Sequence, residues 1–205
     1  MKLTKIMMSA LLLAGASVSQ ATTDVSAVRL AQEVAQIASS VRTLEAGLVA
    51  ANLINWQIGE YHNNTIKLSL PFPGSAHKEV TKEETARNAF WYVQDIAILG
   101  QKQKIETLMD RATGKVLEQI VNGKKEEVSE GDTMEILEQY ETEVEVPAGK
   151  FDCMYIKAKV TSKGQTQELQ AWINPVNINL DGMLKVVVQS QMGPVEMLLK
   201  DFGKK

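Results

Sequence analysis

The sequence predicts an α+β protein in which a long N-terminal helix packs on a strongly curved antiparallel sheet, an open or half β-barrel. Two observations support this prediction. Apolar residues recur at helical spacing between residues 22 and 55, and from residue 56 onward short alternating runs are separated by turn residues. One helix followed by roughly nine or ten short strands is expected to cover one face of a curved sheet.

Residues 1–21 have the order of a secretory signal peptide. Lys2 and Lys5 precede an apolar core, and the small residues that follow suit cleavage before Thr22. The apolar run is too short to remain as a membrane anchor, and no second run of spanning length follows. No cysteine lies near the cleavage region, so lipid attachment there is excluded. We therefore expect export to the bacterial periplasm.

Composition narrows the function classes of the mature chain. Without residues 1–21, the 205-residue sequence leaves 184 residues with 20 basic and 25 acidic side chains, a formal charge of −5. That length supports one domain with a sizeable core. A mild acidic excess without a basic cluster argues against nucleic acid as a partner. One cysteine permits no internal disulfide, so stability must come from packing.

The predicted helix covers residues 22–55, with Asp24 as a helix cap. Its apolar seam keeps a heptad spacing through Ala27, Leu30, Val34, Ile37, Val41, Leu44, Leu48 and Ala51. A coiled-coil dimer is one interpretation of this seam. The flanking positions carry few charges that could select a partner helix, so packing on the chain's own sheet, and a monomer, is the favoured interpretation.

Residues 56–205 are predicted to form the sheet, in one domain with the helix. Strand-like runs lie at 56–70, 90–99, 102–110, 115–121, 134–146, 150–160, 165–173, 183–191 and 195–202. The polar stretch 77–88 is predicted to be a short helix or an exposed loop, and 174–182 a loop. Between 134 and 146, glutamates alternate with apolar residues, which predicts one solvated strand face. The alternative for the first part is a helical turn, because Ile136, Leu137 and Tyr140 also fit helical spacing.

Several of these strands carry a recognisable pattern. "WQIGEY" at 56–61, "VPAGKFDC" at 146–153, "WINP" at 172–175 and the closing stretch from Met183 to Gly203 occur in that order. The pattern resembles a family of uncharacterised bacterial envelope proteins with a sheet like that of the lipoprotein-localisation carriers LolA and LolB. The resemblance implies an open barrel whose apolar cavity holds acyl chains under a helical cover. This chain departs from those carriers in its heptad helix and in residues 74–88.

No catalytic or metal site emerges from the residues. Cys153 lies inside a strand, without a nearby base or a helix N-terminus to activate it, so packing is the favoured role. His62 and Glu60 share a strand face, but His77 is in a separate polar segment and zinc needs three or four ligands. Neither a G-x-S-x-G stretch nor a phosphate-binding glycine loop occurs. We expect no enzyme activity, no metal and no cofactor.

The expected function is therefore binding of an acyl chain or another apolar ligand by a non-enzymatic periplasmic protein. The alternative is an envelope interaction or scaffold protein whose filled barrel takes no small molecule. Candidates for the apolar lining are Met109, Leu117, Met154, Ile156, Leu184, Val186 and Met197. The aromatic residues Trp56, Trp91 and Trp172 could line such a cavity, although core filling is favoured for them.

Overall fold

The structure, a computed structural model, describes residues 32–33, 35–41, 43–44, 55–68, 73–98, 100–128, 133–162, 164–190 and 193–205. Strands account for 70% of them, and uninterrupted helix is one run of 7 residues, 35–41. Residues 32–33 and 43–44 are also helical, and together these three stretches are called the helical segment below. The predicted signal peptide lies outside the described residues.

The predicted fold class, an α+β protein with a long N-terminal helix, is wrong: the described chain is mainly antiparallel sheet. One physical reason lies in residues 77–84, which were predicted as a helix or loop but belong to a strand. Lys78 is buried at an inward position of that strand, so the alternation of polar and apolar residues is hidden in the sequence. Of the predicted seam, Ile37, Val41 and Leu44 are described and buried. The other five seam positions lie outside the described residues.

Eleven strands form one antiparallel sheet, in the order β6-β5-β4-β3-β2-β1-β11-β10-β9-β8-β7. Their bounds are β1 Glu60–Lys67, β2 Gly74–Glu84, β3 Ala89–Ile98, β4 Gln101–Asp110, β5 Val116–Val121, β6 Lys124–Glu126, β7 Thr133–Val146, β8 Gly149–Ser162, β9 Gln165–Ile173, β10 Met183–Ser190 and β11 Gly193–Lys204. A 3-10 turn, Thr85–Arg87, joins β2 to β3. The first and last strands pair at the centre of the sheet, so two meanders run outward from β1 and β11.

The length of the β6–β7 connection requires a strongly curved sheet. These strands are the two edges, and in a flat sheet ten strand spacings would separate them by about 48 Å. Only seven residue steps join Glu126 to Thr133, a reach of at most about 25 Å. The sheet must therefore curl until its edges approach each other. Register shifts that bend strands occur within the pairs β1–β11, β2–β3, β4–β5, β7–β8 and β9–β10.

The inner face of this curl holds the main core. Residues opposite each other in antiparallel strands share a face, which places Ile66, Ala76 and Ile96 together with Val186 and Val188. Strand residues of this face form one apolar cluster with Ile37, Ala38, Val41 and Leu44 of the helical segment. Ser40 Oγ also donates a hydrogen bond to Gln167 Oε1 of β9 at 2.6 Å. The helical segment is thus seated in the hollow of the sheet.

Candidate functional site

An apolar groove lies between the helical segment and the inner face of the sheet. Ile37, Ala38 and Val41 line it from the helical side, and β3 contributes Gln94, Ile96 and Ile98. The remaining lining residues come from β1, β2, β10 and β11: Ile66, Ala76, Val186, Val188, Val195 and Met197. The space left open is about 30 Å³, enough for a few waters but not for an acyl chain. Side chains of the helical segment therefore occupy most of the groove.

Among the described residues of this lining, Gln94 is the one polar side chain. It lies in the middle of β3, opposite Lys78 of β2 and Ile105 of β4, on the same inner face as Ile96 and Ile98. Only 3% of the residue is exposed, and its Oε1 accepts no hydrogen bond. A buried acceptor in an apolar lining is costly unless a donor reaches it. The groove therefore has one polar position, toward the centre of the sheet.

A buried charged cluster lies beyond Gln94 on the same face. Lys78 Nζ is 2.6 Å from Asp181 Oδ2, and the two side chains are 4% and 2% exposed. The other carboxylate oxygen accepts a hydrogen bond from the Met183 backbone N–H at 3.0 Å. His62 Nδ1 lies 3.7 Å from Asp181 Oδ1, and its Nε2 is 2.9 Å from Asn179 Oδ1. These contacts join β1, β2 and the loop 174–182.

The surroundings shift the pKa values of this cluster. Burial by itself raises the pKa of Asp181, but the positive charge of Lys78, the nearby His62 and the hydrogen bonds from Lys78 and Met183 outweigh it and hold that pKa below its usual range. Burial lowers the pKa of His62, which Asp181 only partly offsets. The cluster is therefore a carboxylate paired with an ammonium, beside a histidine that resists protonation.

Aromatic rings cover the Lys78 ammonium on its other side. Its Nζ lies 4.6 Å from the ring centroid of Tyr92 and 5.5 Å from that of Trp56. Trp56 and Tyr92 belong to a second apolar cluster with Val80, Phe90 and Met109. Because the lysine is enclosed by its carboxylate and by these rings, it is not free to meet a solvent-borne substrate.

The cluster fixes the loop 174–182 against one end of the curled sheet. Asn179 Nδ2 donates to the Gly203 carbonyl at 2.8 Å, and Asn174 Nδ2 donates to the Asp152 carbonyl at 2.8 Å. Gly182 has a φ of +71°, and a Cβ there would lie 2.6 Å from Pro175 atoms, so the loop needs glycine. The loop and its ion pair therefore close the end of the sheet that lies beyond Gln94.

The predicted lining residues lie in different parts of the structure. Val186 and Met197 line the groove. Met154 and Ile156 contact the central cluster but not the open space. Met109 and Leu184 belong to two other clusters, and Leu117 is 39% exposed.

Sequence reasoning missed the polar residues of this face: Gln94, Lys78, Asp181 and the buried role of His62. Positions 74, 76, 78 and 80 form the inward face of β2, and only Lys78 interrupts its small and apolar residues. Gln94 interrupts the inward face of β3 in the same way. A polar residue in the middle of a buried strand face was the available signal.

The remaining candidates for chemistry are accounted for by their surroundings. Cys153 is buried, and desolvation, with the charges of Asp152 and Glu143, raises the pKa of its thiol. Glu60 Oε2 accepts a hydrogen bond from the Gln57 backbone N–H, whereas His62 Nε2 is paired with Asn179 Oδ1. Within the described ranges, no three His, Cys, Asp or Glu side chains are grouped to hold a metal ion.

Comparison with known proteins gives distant structural likenesses. No family model matches the chain, and no curated protein matches it. A "putative lipoprotein" from Parabacteroides distasonis is similar at 10% identity with a TM-score of 0.43, over 74% of this chain and 98% of that one. A "putative exported protein with YmcC-like fold" from Bacteroides fragilis is similar at 10% identity with a TM-score of 0.42, over 74% of this chain and 99% of that one.

MucB is similar at 9% identity with a TM-score of 0.37, over 82% of this chain and 59% of MucB. All three TM-scores are below 0.5, so none of these likenesses assigns a function or a family to the chain. In the described part of the chain, no helix is long and apolar enough to cross a membrane.

Proposed function

We propose that the chain is an exported, non-enzymatic protein of the bacterial envelope that binds an acyl chain or a similar apolar molecule. The binding site is the groove between the inner face of the sheet and the helical segment. One observation supports this most: in the described residues, a concave surface built from five strands is apolar apart from Gln94, and the helical segment covers it. Apolar grooves with few polar groups are typical ligand sites.

A ligand must displace the helical segment, because the open space of about 30 Å³ cannot hold a chain. Losing the burial of Ile37, Val41 and Leu44 costs about 4.5–9 kcal/mol, and association costs at least ~4 kcal/mol more. Each buried methylene returns about 0.8 kcal/mol. Chains of about 16–18 carbons are therefore expected to bind, and chains of about 8 carbons are not.

The absence of enzyme activity is part of this proposal. The raised pKa of Cys153 is the reverse of what an activated thiol needs. Lys78 and Asp181 neutralise each other inside the protein, and the site offers no open position beside them. Such a pair is suited to holding the loop 174–182, not to reacting with a substrate.

Export rests on the signal-like order of residues 1–21. We expect processing before Thr22 and recovery of the product in the periplasmic fraction. Intact mass of the exported chain measures this directly. A mass that still includes residues 1–21 would contradict the expected cleavage.

Ligand binding is tested with a fluorescent long-chain fatty acid and the variant Val186→Trp. Val186 is 1% exposed and lines the groove, so the larger ring should fill it and weaken binding at least tenfold. Leu117→Trp is the matched control, because Leu117 is exposed on β5 outside the groove and its variant should bind as the wild type does. Wild-type protein that is folded but binds no probe would refute the proposal.

A second candidate function is docking of a protein partner on strand β7. In the described sheet β7 is an edge, paired with β8 alone, and Ile136, Leu137 and Tyr140 are 46%, 42% and 52% exposed. An edge strand with exposed apolar side chains can accept an added strand. Purified protein that carries no lipid but binds a partner protein through β7 would favour this candidate. Ile136→Lys should then abolish partner binding, and Val186→Trp should leave it unchanged.

A further inference from the structure

Gln94 gives the groove a polar end. Along the inner face of β3 the side chains run Ile98, Ile96, Gln94 and Tyr92, and the first three line the open space. Beyond Gln94 the face is closed by Lys78 and its aromatic neighbours. A ligand in the groove would therefore have apolar partners along most of its length and, among the described lining residues, the unpaired Oε1 of Gln94 at one end.

Water is a poor partner for that acceptor. The open space is about 30 Å³, and a buried water in it needs two to four polar partners. Where the structure describes the lining, Gln94 supplies its only polar side chain, and the neighbours there are aliphatic. Two nearby donors are engaged elsewhere, since Lys78 is bonded to Asp181 and Ser40 to Gln167. Oε1 is left without a donor.

We propose that Gln94 Oε1 selects ligands that carry a neutral O–H or N–H donor on a long apolar chain, such as a long-chain alcohol or an N-acyl amide. The inference rests on the proposed function, because it names the ligand class of the same groove. A carboxylate has no proton to give to Gln94, and a pure hydrocarbon leaves the acceptor unpaired. A donor that reaches Oε1 gains a hydrogen bond inside an apolar site, where an unpaired acceptor is costly.

The test compares 1-hexadecanol with its methyl ether, 1-methoxyhexadecane, as competitors of the fluorescent fatty acid. The two have the same chain, but the ether has no donor. Wild-type protein should bind the alcohol about tenfold more tightly than the ether. Gln94→Leu should bring that ratio close to one while the ether still binds.

The matched control is Gln119→Leu, a buried glutamine on β5 that lies outside the groove lining, and it should keep the wild-type ratio. Equal binding of alcohol and ether to the wild type would overturn the inference and leave the proposed function standing. A ratio that persists in Gln94→Leu would also overturn it. Binding of neither compound to folded protein would refute the proposed function itself, and the inference with it.

Discussion

The Lys78–Asp181 ion pair should be the most sensitive polar contact in the described structure. Asp181→Asn keeps the shape of the side chain and an oxygen for the Met183 N–H, but it removes the charge that neutralises Lys78. Breaking a buried pair by removing one partner costs about 3–5 kcal/mol, because the other charge stays buried without compensation. We expect a loss of that size for Asp181→Asn and also for Lys78→Met.

The double variant Lys78→Met/Asp181→Asn separates the interaction between the two side chains from the effect of losing each one. With both charges gone, no uncompensated ion remains, so the loss should be smaller than the sum of the single losses by about 2–3 kcal/mol. Urea unfolding followed by tryptophan fluorescence measures each free energy, since Trp56 packs beside Lys78.

Lys150→Met is the matched control for burial. Lys150 Nζ is also 2.6 Å from a carboxylate, that of Glu143, but the two side chains are 62% and 51% exposed. Solvent screens this pair, so the variant should change the free energy of unfolding by less than about 1 kcal/mol. Single losses at Lys78 and Asp181 as small as this, and additive in the double variant, would refute the buried-pair reasoning.

Three further predictions concern single features. Burial lowers the pKa of His62, so as pH falls below 6.5 this histidine takes up a proton in the unfolded chain but stays neutral in the folded one. The free energy of unfolding should therefore fall by up to ~1.4 kcal/mol per pH unit until the folded pKa is reached. His62→Gln should remove this pH dependence, and an unchanged slope in the variant would contradict the prediction. Cys153→Ser should cost about 1–2 kcal/mol in urea unfolding, and rapid labelling of the native wild-type thiol at neutral pH would be inconsistent with its burial. Sedimentation at micromolar concentration should give a monomer, and a dimer that Val41→Glu converts to folded monomers would instead support the coiled-coil interpretation.

Alternation made much of the sheet predictable. Runs predicted at 90–99, 102–110 and 115–121 correspond to β3, β4 and β5, and the stretch 134–146 lies within β7. Each of these strands has one face that is mainly apolar or mainly charged, so the period of two is visible in the sequence. Their pairing into a meander followed from short turns between them.

Long-range contacts could not be predicted in the same way. The pair between β1 and β11 joins residues about 140 positions apart, and no local signal marks it. Strand β2 was missed because Lys78 occupies an inward position, and only Asp181, 103 residues later, explains how that lysine is buried. The loop 174–182 was predicted, but its role depends on the same distant contact.

The candidate site was predicted only at its apolar positions. Val186 and Met197 lie at the groove because both are apolar residues on inward strand positions, and their role in binding stays a prediction. The register of a strand decides which apolar residues face a cavity, and the sequence alone does not give the curvature that places Leu117 outside it. Gln94 was missed because its importance depends on having no partner, which is a property of the folded surroundings.

The central claim is that an apolar chain takes the place of Ile37 and Val41 in the groove. A crystal structure of the mature protein with a long-chain fatty acid brominated near its methyl end tests this most directly, since anomalous scattering locates the bromine. We predict a bromine peak in the groove between β3 and β10, in the space now filled by Ile37 and Val41, with the helical segment moved away. Bromine bound elsewhere, or absent, with Ile37 and Val41 still filling the groove would contradict the account.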